Sequence, residues 1–203
     1  KLDNAAKRVR AAVGENTRRY ANNLYDRALL YNARGELPRA RDTFLEAARI
    51  HAETYAPNPV ARGWTLYQAA ALEWRLKDYA LALQTMIQVE SLWDGPMPAN
   101  SPIYPQLWSN IGELQFLVGH FDEANKSIDK ALVLRRAEPA GHESEIAEAL
   151  SIKAEIARSL GHKDEASALM AEAIAMARSQ KSPSATALTD IATYEQRQLE
   201  LSR

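Results

Sequence analysis

The sequence predicts an all-α fold, a solenoid built from helical hairpins. The first observation is a turn position that recurs every 42 residues, occupied by Gly35, Lys77, Gly119 and Gly161. The second is a set of small residues at fixed distances from each turn: Ala28, Ala70, Gly112 and Ala154 before it, Ala40, Ala82, Ala124 and Ala166 after it, and further on Ala47, Val89, Ala131 and Ala173. The third is the lack of alternating apolar and polar runs typical of strands. Small residues on both helices of a hairpin allow the two backbones to approach closely.

The first part of the chain contains an N-terminal helix and one hairpin. Residues 1–15 are predicted to form a short amphipathic helix, because Leu2, Val9 and Val13 have helical spacing and Gly14 can end the helix. Residues 16–59 form the first predicted repeat. Its second helix can begin at Pro38, whose missing amide costs nothing in the first turn of a helix, and it ends before Pro57.

The same scheme continues to the end of the chain. Residues 60–101, 102–143 and 144–183 form the second, third and fourth predicted repeats. The longest predicted non-helical segment joins the second repeat to the third, since it contains Pro96, Pro98, Pro102 and Pro105. Residues 184–203 are predicted to form a polar capping helix that ends the stack. We therefore expect one domain over residues 1–203.

These recurring positions resemble the tetratricopeptide repeat (TPR), and the 42-residue step resembles its longer variety, found in kinesin light chains and many bacterial signalling proteins. The third repeat matches best, over Leu107–Leu114, Gly119–Ala124 and Ala131–Leu132. The chain departs from the family pattern at four positions. Lys77 replaces the turn glycine, Lys163 replaces an aromatic residue, and Glu73 and Gln115 each replace a tyrosine. The resemblance implies a right-handed superhelical solenoid of about four TPR hairpins.

The resemblance also implies where a ligand would bind. In this family the first helix of each pair lines a concave groove that holds extended or helical peptides. On the matching positions of this chain, the groove would be lined by Tyr25, Asn32, Trp64, Tyr67, Trp74, Arg75, Gln106, Asn110, Glu113 and Phe116, with Glu148, Ser151, Glu155 and Arg158 further along. Tryptophan, tyrosine and arginine dominate the energetics of many binding surfaces, so Trp64, Tyr67 and Trp74 beside Arg75 have the composition of a hot spot.

Two alternatives remain open for these residues. Trp64 and Trp74 are either exposed in the groove or packed into a neighbouring helix or under the end of the chain. Asn110 either hydrogen-bonds the backbone of a bound peptide or hydrogen-bonds a neighbouring helix or water. The groove mode that captures a terminal carboxylate is excluded, because the positions that should carry cations hold Tyr25, Gln106 and Ser109 instead.

Other classes of function find little support in the sequence. The 25 Lys and Arg residues nearly balance the 26 Asp and Glu residues, which gives no footprint for nucleic acid. Residues 1–62 carry 12 basic and 7 acidic residues, so the N-terminal end is expected to be basic and the remainder acidic, a difference that solvated helix faces can also explain. There is no cysteine, and no histidine pair or carboxylate set has the spacing of a metal or catalytic site. We expect no cofactor, no metal, no enzymatic activity and no membrane span.

The leading hypothesis is a protein–protein interaction module in the cytoplasm that binds a peptide or protein segment in its concave groove. The alternative is a regulatory or self-association domain of a larger bacterial signalling protein, such as a protein kinase or a transcription regulator, in which case a homodimer is possible. The chain begins at Lys1 and not at methionine, which suggests a piece of a longer protein.

Overall fold

The computed structural model describes residues 17–53, 58–98, 100–137, 141–180 and 184–201. In these ranges the regular secondary structure is entirely helical. The helices are α1 (Arg18–Ala33), α2 (Leu37–Glu53), α3 (Pro59–Arg75), α4 (Tyr79–Trp93), α5 (Ile103–Leu117), α6 (Phe121–Ala137), α7 (Glu143–Ser159), α8 (Lys163–Arg178) and α9 (Ala185–Leu201). The predicted all-α fold is confirmed. The predicted helix at residues 1–15 lies outside the described residues.

The helices pair as successive hairpins within two compact units, Lys1–Ser101 and Pro102–Arg203. In the first unit α1 packs on α2 and α3 on α4, while α2 also packs against α3. In the second unit α5 packs on α6 and α7 on α8, while α6 packs against α7 and α9 against α8. In the described ranges each unit therefore contains two stacked hairpins, and the second unit adds a final helix.

The small residues that define the repeat are all buried. Among the twelve positions, the eleven that carry a side chain are 0% exposed: Ala28, Ala70, Ala154, Ala40, Ala82, Ala124, Ala166, Ala47, Val89, Ala131 and Ala173. The twelfth, Gly112, is also buried, and a β-carbon there would lie 2.7 Å from Ile128 Cδ1 on the facing helix α6. While isoleucine occupies position 128, this crossing leaves no room for a β-carbon at position 112, which accounts for the glycine.

The four hairpin turns have one common geometry. The backbone φ is +76° at Gly35, +67° at Lys77, +84° at Gly119 and +83° at Gly161. In each turn the amide of the next residue donates a hydrogen bond to the carbonyl five residues earlier, as from Asp78 to Glu73 over 2.9 Å and from His120 to Gln115 over 2.8 Å. This pattern ends helices by satisfying their last carbonyl groups. Lys77 therefore adopts the left-handed conformation that glycine adopts in the other three turns.

Gln115 and Glu73, which stand where tyrosine is usual in the family, each lie beside a hydroxyl side chain. Gln115 accepts a hydrogen bond from Ser127 Oγ through Oε1 over 2.7 Å. Glu73, one repeat earlier, is completely buried beside Thr85, which stands at the position equivalent to Ser127. Burial raises the pKa of Glu73 above its ordinary value, and a hydrogen bond with Thr85 lowers it in part. Each departure thus comes with a hydroxyl residue on the second helix of its hairpin.

The substitution Lys77→Gly is expected to raise the free energy of unfolding by about 1 kcal/mol. A left-handed residue with a β-carbon costs about 1–2 kcal/mol, and glycine removes most of that cost, although it is more flexible in the unfolded chain. Gly119→Ala is the matched reverse change, since a β-carbon at Gly119 meets no atom within 4 Å and only the backbone conformation is penalised. Urea unfolding of both variants measures this; a loss of stability in Lys77→Gly would contradict it.

Enlarging the small buried residues is expected to destabilise the hairpins. Ala124→Leu or Ala166→Leu should each cost about 1–3 kcal/mol through overpacking, because both alanines are 0% exposed. Ala168→Leu is the control, since Ala168 is exposed on the same helix as Ala166. Thermal and urea unfolding should separate the two buried sites from the control. Equal stabilities for all three variants would show that the helices do not cross closely at these positions.

Candidate functional site

In the first unit, the predicted groove residues lie on the first helices of the two hairpins, α1 and α3. Arg75 Nη1 on α3 donates a hydrogen bond to Asn32 Oδ1 on α1 over 2.5 Å. The guanidinium of Arg75 remains at an exposed position. This bond joins the C-terminal ends of the two first helices, so Asn32 and Arg75 form one polar element of the surface.

Trp64 and Tyr67 pack on a third aromatic residue, Trp93, at the end of α4. The ring centroid of Trp93 lies 4.9 Å from that of Trp64 and 6.0 Å from that of Tyr67. Trp93 is fully buried, and its indole nitrogen donates a hydrogen bond to the Val60 carbonyl over 3.3 Å. A β-carbon on Gly63 would lie 2.2 Å from the same nitrogen, so the glycine makes room for the ring.

Trp64 is partly exposed and partly packed against a neighbouring helix, so its position combines the two alternatives predicted for it. The ring is 38% exposed, although one part of it rests on Trp93. Trp74, further along α3, is half-buried. Trp64 and Trp74 therefore keep solvent-accessible surface. Trp93 packs against the buried side of the Trp64 and Tyr67 rings.

Tyr25 is half-buried against its own hairpin and the next one. Its ring meets Phe44 of α2 edge to face, with 5.2 Å between centroids. Burial raises the pKa of Tyr25, the carboxylate of Asp26 raises it further, and a hydrogen bond with Gln68 of α3 lowers it. The hydroxyl group is therefore held between α1 and α3 in its neutral form.

In the second unit, Gln106 and Asn110 belong to an internal polar network. Gln106 Nε2 donates to Asn110 Oδ1 over 2.9 Å, and Arg135 Nη2 donates to Gln106 Oε1 over 3.3 Å. Arg135 comes from α6 and is buried. The amide oxygen of Asn110 is thus engaged by Gln106 of its own helix, and a role of Asn110 toward a bound peptide stays a prediction.

The second unit also contains an open pocket of about 520 Å³. Three successive first helices line it at equivalent repeat positions. The lining residues are Glu113, Phe116 and Leu117 from α5, Ile152, Glu155 and Arg158 from α7, and Arg197, Glu200 and Leu201 from α9. Residues 113, 155 and 197 are separated by the 42-residue step, as are 116, 158 and 200. The pocket therefore follows directly from the repeat.

The acidic side chains of this pocket are not all paired with basic ones. Glu155 pairs with Arg158 Nε at 2.8 Å and with Arg197 Nε at 3.9 Å. Burial, and then the carboxylate of Glu148, raise the pKa of Glu113 to about 7, while Arg197 lowers it. A substantial fraction of Glu113 is therefore protonated near neutral pH.

A second carboxyl group beside the pocket is perturbed in the same direction. Partial desolvation raises the pKa of Glu148 even though the residue as a whole is exposed, the carboxylates of Asp190 and Glu145 raise it further, and Arg135 lowers it. Glu148 and Asp190 occupy equivalent positions one repeat apart on α7 and α9. Helices α7 and α9 of the second unit thus carry neighbouring acidic side chains that repel one another.

Some of these residues were not anticipated from the sequence. Helix α9 packs on α8 as the predicted capping helix should, but Arg197, Glu200 and Leu201 also line the pocket. Continuing the 42-residue step from Glu155 and Arg158 into α9 could have found the first two. Trp93 had no such signal, because the equivalent positions hold His51, Arg135 and Ala177, which share only their burial.

Two further features of the described residues bear on function. No helix within the described ranges is long and apolar enough to cross a membrane. The described histidine, aspartate and glutamate side chains form no group of three or more placed to hold a metal ion.

Comparison with known proteins identifies the fold. No protein-family model matches the sequence, and no curated protein matches it. Among solved structures, YrrB, described as a TPR protein with an unusual peptide-binding site, aligns with a TM-score of 0.60 at 18% identity, covering 79% of this chain and 70% of YrrB. BtubC (BKLC) from P. vanneervenii aligns with a TM-score of 0.69 at 14% identity, covering 98% of this chain and 86% of the other.

A third similar structure carries repeats of the type expected from the sequence. It is a putative kinesin light chain from Podospora anserina with nearly identical TPR-like repeats, which aligns with a TM-score of 0.68 at 16% identity over 89% of this chain and 90% of its own. The chain has the TPR fold. The resemblance found in the sequence is confirmed at the level of fold, and the TPR solenoid explains why equivalent residues line one pocket.

The partly protonated Glu113 predicts a pH-dependent stability. A carboxyl whose pKa is about 7 in the folded chain, against an ordinary 4.5, binds more protons folded than unfolded. Its contribution to stability is therefore complete below about pH 4.5 and is lost as the pH rises towards about 7. Glu113→Gln keeps the neutral shape and should show a smaller loss of stability between about pH 5 and about pH 8 in urea unfolding. Glu123→Gln, at an exposed position, is the matched control; identical pH profiles for all three proteins would contradict the prediction.

Proposed function

We propose that this chain is a non-enzymatic protein-interaction module that binds a peptide segment on the surface formed by the first helices of its hairpins. The observation that carries the proposal is the open pocket of about 520 Å³, lined by equivalent positions of α5, α7 and α9. Its lining combines four apolar residues with five charged ones, so it offers a bound segment both apolar contacts and charged partners. The description of YrrB as a TPR protein with a peptide-binding site supports the same function on this fold.

The aromatic surface of the first unit supports the proposal independently. Trp64 is partly exposed, and Tyr67 and Trp74 retain accessible edges. Covering an aromatic side chain fully is worth about 1.5–3 kcal/mol, and a micromolar complex requires about 8 kcal/mol. Partial coverage of these rings contributes a fraction of that amount, so polar and charged contacts must supply the rest.

A library of random-sequence peptides displayed on phage tests the proposal directly. Selection on the full chain should enrich peptides that bind with about micromolar affinity. Phe116→Ala, in the pocket of the second unit, should weaken peptides that bind that unit by at least about tenfold, and the double variant Trp64→Ala/Trp74→Ala should do the same for peptides that bind the first unit, because aromatic residues carry much of the binding energy at such surfaces. Isothermal titration calorimetry measures the change.

Two controls separate binding from folding. Circular dichroism should show unchanged helicity in the variants, and Leu81→Ala, at a 42% exposed leucine on α4, should leave the affinity unchanged. Failure to enrich any peptide, or binding that both sets of substitutions leave unaltered, would overturn the proposed function.

A further inference from the structure

The walls of the pocket in the second unit suit a long side chain with an apolar stem. Phe116 and Leu117 contribute from α5, Ile152 from α7 and Leu201 from α9. The charged residues lie on the same helices, within two turns of these apolar groups. Lysine and arginine side chains have this dual character, because their methylene groups cover apolar surface while the charged end stays polar.

The charge left unmatched in the pocket is negative. Both arginines, Arg158 and Arg197, already face Glu155, at 2.8 Å and 3.9 Å. Within the described part of the chain, no hydrogen bond or ion pair reaches the carboxyl group of Glu113. An incoming group can therefore neutralise Glu113 without breaking an existing pair.

The surroundings of Glu113 strengthen this negative character. Glu148 raises the pKa of Glu113, and Asp190 and Glu145 raise that of Glu148, so these carboxyl groups act on one another. Residues 102–203 as a whole contain 15 Asp and Glu against 11 Lys and Arg. A cation placed here relieves repulsion among several carboxylates at once.

We propose that this pocket takes a lysine or arginine side chain of the bound peptide, with Glu113 as its counter-ion and Phe116, Leu117, Ile152 and Leu201 around its stem. This inference rests on the proposed function, since it names the chemistry of the segment that the module binds. The opposite possibility, a carboxylate held by Arg158 and Arg197, requires Glu155 to be displaced and brings the new anion close to Glu113, so the pocket disfavours it.

The test compares peptide selections on the full chain and on two variants. Random-sequence phage peptides selected on the wild-type chain should be enriched in lysine or arginine at one fixed position. Glu113→Gln should still select peptides but lose that enrichment, because glutamine keeps the size and removes the charge. Glu123→Gln, at an exposed position outside the pocket lining, should keep the wild-type preference.

A single selected peptide then provides the quantitative measurement. Replacing its basic residue by citrulline, which is neutral and nearly isosteric with arginine, should weaken calorimetric binding to the wild-type chain by about tenfold and to Glu113→Gln far less. Enrichment of acidic residues or free carboxyl termini, or peptides that bind with no basic preference, would overturn this inference while leaving the proposed function intact. Failure to select any peptide would overturn the proposed function itself.

Discussion

The structure depends on the close approach of the two helices in each hairpin. A helix pair comes this close only where at least one of the two backbones carries little or no side chain at the crossing. This chain meets that condition once every 42 residues, most strictly at Gly112, where a β-carbon would lie 3.2 Å from the backbone nitrogen of Ile128. The larger core residues, such as Phe44 and Met86, fill the space on either side of these crossings. The left-handed turns complete each hairpin by reversing the chain within a few residues.

The same register also determines the chemistry of the inner surface. Because each hairpin repeats the last one, equivalent positions of successive first helices become neighbours, and their side chains accumulate in rows. In the second unit one row contains Glu113, Glu155 and Arg197, and another contains Glu148 and Asp190. Charges that are far apart in the sequence thus become neighbours, and desolvation together with mutual repulsion raises the pKa of Glu113 and of Glu148. A repeat array produces such a surface without any dedicated loop.

The sequence predicted the features that depend on local periodicity. The turn at Lys77 was located by register alone, although lysine is an unusual residue for a φ of +67°. The features that escaped prediction depend on contacts between distant side chains of individual shape. Trp93 could be placed on Gly63 only once the hairpin geometry was known, and the bond between Arg75 and Asn32 depends on the rotamers of two long-range partners. The contribution of α9 to the pocket was missed because its polar composition was interpreted only as a sign of capping.

The most direct test of this account is a disulfide across the closest hairpin crossing. The chain has no cysteine, so the pair Gly112→Cys and Ile128→Cys can be studied without background. A β-carbon at 112 would lie 2.8 Å from Ile128 Cγ1, which brings the two β-carbons close to the separation of about 3.5–4.5 Å that a disulfide requires. Mass spectrometry after mild oxidation should find the intramolecular disulfide in this variant and not in the control pair Gly112→Cys and Lys126→Cys. Free thiols in both variants would show that the helices do not meet as described.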